Sequence, residues 1–404
     1  MAILAFHVMI AMTIAACNSR WLRGTPPEST PVTAVAPATT AVTPGAPTAP
    51  GTRATLPPAG TPTPTPGPQP VEPYLGIWIS DEELGLLPVS GLAWEQLRAA
   101  ADREPRSPKL NQMNRANNVL VLAKALVYAR TGETRYREEV IDNLVQAMGT
   151  EEKGDTLALG RNLVAYVIAA DLVNLPKINP EVDRQFRTWL RQVLTKELDG
   201  RTLQSTHEER PNNWGTHAGA SRAAVALYLG DTAELERAAQ VFKGWLGDRS
   251  AYDEFVYGKL SWQADEDSPV AINPVGAMKE GHSIDGALPE EMRRGGKFQW
   301  PPKETGYAWE ALQGAIVQAE LLHRAGYPVW EWEDRALLRA VRFLYGIGWE
   351  SEGDDEWQLW LINYAYGTDF PTSAQAVPGK NMGWTQWTHS QYRRPLNNTT
   401  NEQG

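Results

Sequence analysis

From about residue 74 to 390 the apolar side chains return with the period of a helix. Val119, Leu122, Ala123 and Leu126 fall at i, i+3, i+4 and i+7, and Leu312, Ala315, Ile316 and Ala319 repeat the spacing, which places each set on one face of an amphipathic helix. Comparable patterns run through 134–148, 157–174, 181–196, 214–229, 232–246 and 334–346, and no segment between them alternates as a strand would. The expected class is all-α.

Three corners between these segments look alike: Tyr128 to Gly132-Glu133-Thr134, Tyr228 to Gly230-Asp231-Thr232, and Leu322 to Gly326-Tyr327-Pro328. A glycine closing one helix, followed by a polar start to the next, is cap chemistry and makes each corner a helical hairpin. The glycines are 98 and 96 residues apart, too far for the common solenoids, whose repeats are usually under about 50 residues. Recurrent antiparallel hairpins suit an incomplete (α/α) toroid around a central cleft. Residues 249–306 break the pattern, being rich in Gly, Pro, Asp and Trp; a long structured loop in a compact domain is usually functional, and this one is expected to line the cleft.

The 404 residues hold one cysteine, Cys17, so no disulfide framework exists and packing must supply the stability. The apolar run of residues 1–16 is shorter than the roughly 20 residues that span a bilayer. It reads as a leader, and Ile14-Ala15-Ala16-Cys17 ends it as bacterial lipoprotein signals end, with the cysteine as the lipidated residue. A stray buried cysteine or an uncleaved leader is the plainer alternative. Residues 24–72 are dominated by Pro, Thr, Ala, Gly and Val, a composition that cannot bury a core and favours extended chain. The expected layout is a leader and anchor over 1–23, a spacer over 24–72, a folded domain over 73–390 and a polar tail over 391–404. An exported protein, held off a membrane at the cell surface or in the periplasm through a lipid on Cys17 alone, follows from it; a monomer is expected.

Of the 38 basic and 48 acidic residues, three and two fall in residues 1–72, leaving residues 73–404 at −11. That balance argues against a nucleic-acid partner. None of the six histidines forms a ligand pair, and there is no phosphate loop or Gly-x-Ser-x-Gly elbow, so neither metal nor cofactor is expected.

Two segments carry candidate chemistry. One is Pro211-Asn212-Asn213-Trp214-Gly215-Thr216-His217; the other is Asp285-Gly286-Ala287-Leu288-Pro289-Glu290-Glu291-Met292-Arg293-Arg294, with Tyr307 after it. Together with the turn Leu229-Gly230-Asp231 and the stretch Asn117–Leu126, they resemble the α/α-toroid alginate lyases. That family carries Asn-Asn-His-x-x-Trp at the opening of a helix, then Asp-Gly-x-x-Pro-x-Glu-x-x-Arg and a tyrosine. The resemblance covers most of residues 110–346. It departs at two positions, because Trp214 stands where the family has histidine and His217 where it has tryptophan. If a helix begins near Asn213, then Asn213 and His217 still share a face at i and i+4; His282 is a second candidate for the histidine role.

The resemblance implies β-elimination on a uronate-containing anionic polysaccharide. A base removes the C5 proton, negative charge gathers on the carboxylate, and an acid protonates the departing O4. Donors and cations aimed at that carboxylate supply the stabilisation. By the resemblance these are Asn213, a histidine and one arginine of the pair Arg293 and Arg294. Tyr307 would be the acid and also the base, for which its reference pKa of about 10 needs a nearby cation. Residues 291–303 hold Arg293, Arg294, Lys297 and Lys303 against one acid, a local positive excess within an acidic domain.

Each choice has a plainer alternative. Asn212 or Asn213 would cap a helix, His217 and Tyr307 would pack in a core, and the arginines would bond Glu290 or Glu291. Among the sixteen tryptophans most should be core, with Trp214, Trp262 and Trp300 expected in the cleft beside Asn212 and Lys297 as substrate contacts. Two other functions compete: a toroid glycoside hydrolase, whose paired carboxylates would come from Asp265, Asp267, Asp285 and Glu291, and an inactive surface protein that only binds carbohydrate.

Overall fold

Apolar periodicity becomes a layered all-helical architecture in the computed structural model, which describes residues 76–114 and 116–390. The leader, Cys17, the spacer and the tail lie outside the described residues. In chain order the helices are α1 (Asp81–Leu86), α2 (Leu92–Ala101), α3 (Asn117–Thr131), α4 (Thr134–Ala147), α5 (Thr156–Leu172), α6 (Leu175–Ile178) and α7 (Pro180–Thr195). They continue as α8 (Leu203–Glu209), α9 (Asn213–Leu229), α10 (Thr232–Leu246), α11 (Pro289–Met292), α12 (Tyr307–Arg324), α13 (Trp332–Gly346), α14 (Trp357–Tyr366) and α15 (Thr385–Thr388). A two-strand antiparallel hairpin, β1 (Met278–Lys279) and β2 (His282–Ser283), pairs Met278 with Ser283 and Lys279 with His282.

Burial divides the helices into two layers. α5 is buried along its whole length and α9 and α12 nearly so, as helices enclosed on all sides must be, whereas α4, α7, α10 and α13 bury one face each. The inner helices pack in the order α3, α5, α9, α12, with α4 behind α3 and α10 behind α9. This is the incomplete (α/α) toroid. The hairpins α3/α4 and α9/α10 turn on Gly132 and Gly230, each left-handed at a helix end with φ of 74° and 68°, a conformation glycine adopts without strain.

Small residues set how closely the inner helices approach. A Cβ on Gly160 of α5 would meet the backbone of Ala218 at 2.9 Å, and one on Gly314 of α12 would meet Thr216 and His217 backbone at 2.4 and 2.5 Å. Both neighbours therefore seat against the first turns of α9, and Ser221 Oγ of α9 donates to Gly160 O at 2.7 Å. The contacts fall near the same end of all three helices, so their N-termini gather at one end of the toroid.

The arc is closed by a segment the periodicity did not reveal. Residues 376–389 bridge α12 to α3: Lys380 N donates to Gln313 Oε1 (3.0 Å), Asn118 Nδ2 to Lys380 O (2.9 Å), and Trp384 Nε1 to Val119 O (2.9 Å). Two boundaries differ from expectation. Helix α13 opens on three residues, Glu333, Asp334 and Arg335, with φ of 49–58°, so its regular part starts later than 334. The 249–306 segment is not wholly irregular, since it contains the β hairpin and α11.

Candidate active site

Asn212 is the N-cap of α9, its side chain accepting from Trp214 N at 3.1 Å, which is the capping role rather than a free contact. Asn213 follows as the first helical residue. Its backbone N–H donates to Glu291 Oε1 of α11 at 2.6 Å, so a carboxyl from the long loop satisfies one of the unpaired N–H groups of the helix end. The Asn213 Oδ1 is buried without a partner among the described residues. Burial, with Glu290 adding to it, pushes the Glu291 carboxyl up to about 8, against the Asn213 N–H and the charges of Arg294 and Arg293.

The next turn of chain separates the two arginines. Arg293 is bonded to Glu290 Oε2 through Nε (2.8 Å) and Nη2 (2.5 Å). Arg294 is exposed, has no carboxylate partner among the described residues, and lies with its guanidinium 4.1 Å from the centroid of the Tyr307 ring. Tyr307 is the first residue of α12 and is half-buried. Glu291 thus joins the start of α9 to the turn that carries Arg294, and Arg294 joins that turn to the start of α12.

Behind them lies a buried charge cluster. Arg161 of α5 bonds Glu310 of α12 through Nη2, and the Lys380 ammonium bonds the other Glu310 oxygen and reaches Asp354 Oδ2 at 3.3 Å. Burial brings the Arg161 guanidinium down to about 10 despite Asp354, Asp155 and Asp355. Burial and Arg161 bring the Lys380 ammonium down to about 8. Asp355, bonded by Gln313 Nε2 at 2.8 Å, is raised to about 7, by burial first and by Asp354. His217 sits beside this cluster, fully buried, its Nε2 3.8 Å from Glu310 Oε2 and neither ring nitrogen hydrogen-bonded among the described residues. Burial, then Arg161 and Lys380, hold it well below its usual pKa, so it is a neutral imidazole.

The alginate lyase family matches residues 90–253. Over that segment, about two-fifths of the chain, it is similar to the alginate lyases. The family is one of polysaccharide lyases and implies an anionic polysaccharide substrate. No curated protein matches the chain. Among solved structures it is similar to an alginate lyase from Bacteroides ovatus, at 14% identity and a TM-score of 0.47 over 79% of this chain and 96% of that one. It is also similar to alginate lyase A1-III from Sphingomonas species A1, at 12% identity and a TM-score of 0.42 over 80% and 100% of the two chains. The alginate lyase match ends before Arg294, Tyr307, Glu310 and Lys380, whose placement is known from geometry alone.

Several candidate residues stand elsewhere. Trp262 is a core residue, 1% exposed and edge-on to Phe298. His282 stacks on Trp300, with centroids 4.5 Å apart and planes at 9°, and Trp300 lines a cavity against α13. Lys297 is exposed. Trp214 is half-buried under the Arg210 guanidinium, 4.3 Å from its ring. Arg161, Glu310 and Lys380 were absent from the sequence reading. The one arginine inside the mostly apolar 157–174 helix was the available signal, since such a charge is seldom buried without a partner.

Proposed function

We propose that this polysaccharide lyase cleaves a uronate-containing chain by β-elimination at the end of the toroid where α5, α9 and α12 begin. The observation that carries the reading is the free guanidinium of Arg294 over the ring of Tyr307, one residue beyond an arginine already neutralised by Glu290. An unpaired guanidinium is the natural seat for the uronate carboxylate, which it can grip through two parallel N–H donors. Asn213 supports the same carboxylate, where charge develops as the C5 proton leaves.

Tyr307 is the proton-transfer group of this scheme. As a phenolate it takes the C5 proton; the C4–O4 bond then breaks, C4=C5 forms, and the phenol returns the proton to O4. Lys380, with its ammonium held at about 8, is a second group able to release a proton near neutrality. His217, neutral and enclosed, is better suited to holding α9 against the cluster than to neutralising charge.

None of the four carboxylates named for the hydrolase alternative stands free in a shared cleft. Asp265 and Asp267 are exposed loop residues, Asp285 is ion-paired with Arg339 at 2.7 Å, and Glu291 is 1% exposed. Incubation with a panel of polyuronates should yield chain ends with the ultraviolet absorbance of a C4=C5 double bond; new reducing ends without that absorbance would reject elimination.

A further inference from the structure

The long loop builds a second concave surface that the elimination site does not use. A cavity of about 460 Å³ opens between the β1–β2 hairpin and the C-terminal half of α13, with Ser283, Asp285, Trp300, Arg339, Arg342 and Phe343 among its walls. Its size is within the range of small-ligand sites, about 300–1,000 Å³.

The charges around it are unequally spent. Arg339 gives Nη1 to Asn273 O and Asp285 Oδ1, both at 2.7 Å, and Nη2 to Glu333 O at 3.0 Å. It and Asp285 therefore cancel and form a fixed wall. Gly286, at φ 80°, makes this possible, because a Cβ there would meet Arg339 O at 2.3 Å. Arg342 lies three residues further along α13, exposed, with no carboxylate or hydrogen-bond partner among the described residues. The cavity thus keeps one uncompensated positive charge.

The aromatic wall is also incomplete. Trp300 is 39% exposed, and His282 covers one face of its ring in a near-parallel stack. A large indole held flat on one side and open on the other is prepared for a ligand without further loss of rotamer freedom. A pyranose offers an apolar C–H face to such a ring, and a uronate adds a carboxylate for the guanidinium of Arg342.

We propose that this cavity is a second glycan-binding site that takes an acidic sugar unit, with Trp300 as the stacking platform, Arg342 as the carboxylate anchor and His282 as the residue that orients the indole. The site holds polymer on the enzyme independently of the reacting unit. Its polymer class rests on the polyuronate reading above.

The test is affinity electrophoresis of the full chain carrying Tyr307→Phe, so that polymer persists, through gels containing alginate, pectate, glucuronan or neutral dextran. At least one acidic gel should retard it and dextran should not. Adding Trp300→Ala or Arg342→Ala should weaken retardation at least fivefold, with thermal midpoints close to the parent's. Unchanged retardation in both variants overturns the site, as does equal retardation by dextran or none in any acidic gel. Formation of unsaturated ends by the native chain is scored separately, so the lyase reading can stand while the second site falls.

Discussion

The Arg294 guanidinium lies over the Tyr307 ring, 4.1 Å from its centroid, while its neighbour Arg293 is bonded twice to Glu290. The two side chains leave a short 3₁₀ turn, Arg293–Gly295, in which successive residues point roughly 120° apart. One therefore completes the loop's internal ion pair and the other reaches the start of α12.

Tyr307→Phe removes the atom that, in the proposed scheme, takes the C5 proton and delivers it to O4. The expected loss in kcat is roughly 10²–10⁴-fold, with polymer binding retained. Steady-state rates by ultraviolet absorbance check it; activity within tenfold of native would remove Tyr307 from the chemistry.

The arginine pair should separate by kind of damage. Arg294→Ala is expected to lower kcat/KM by about 10²–10³-fold with little change in thermal midpoint. Arg293→Ala leaves Glu290, 3% exposed, without its ion partner and should cost roughly 3 kcal/mol of stability. Thermal melts and rates on both variants decide; the reverse pattern would exchange their roles.

Glu291 predicts a pH dependence. Its carboxyl is raised in the folded state to about 8 from 4.5, so the folded protein binds the extra proton between those values and stability falls as pH rises through that window. Glu291→Gln, which cannot ionise, should flatten the decline, with a shallower drop in thermal midpoint between pH 5 and 8. Parallel curves for the two proteins would show that the carboxyl is not titrating there.

Gly314→Val places branched carbons where the Thr216 and His217 backbone already stands. Overpacking of this kind costs about 1–3 kcal/mol or more, and by pushing α12 off α9 it should lower activity although no reacting group changes. Denaturant melts and rates together test the link; a stable but inactive variant is the informative outcome.

What the chain declares locally, it declares well. The period of Leu312, Ala315, Ile316 and Ala319 marks α12, and Gly132 and Gly230 mark hairpin turns, because helix faces and left-handed caps depend on a few neighbouring residues. Asn213, the pair Arg293 and Arg294, and Tyr307 could be named as candidates from the motif resemblance. Three things were decided only in three dimensions. The division of labour between Arg293 and Arg294 depends on where Glu290 sits. The enclosure of Trp262 and the stacking of His282 on Trp300 depend on how an aperiodic loop folds. The cluster of Arg161, Glu310 and Lys380 draws on α5, α12 and the closing segment, up to 219 residues apart. Its members signal nothing singly, since a buried charge is defined by the partner that compensates it, and tertiary packing alone chooses that partner.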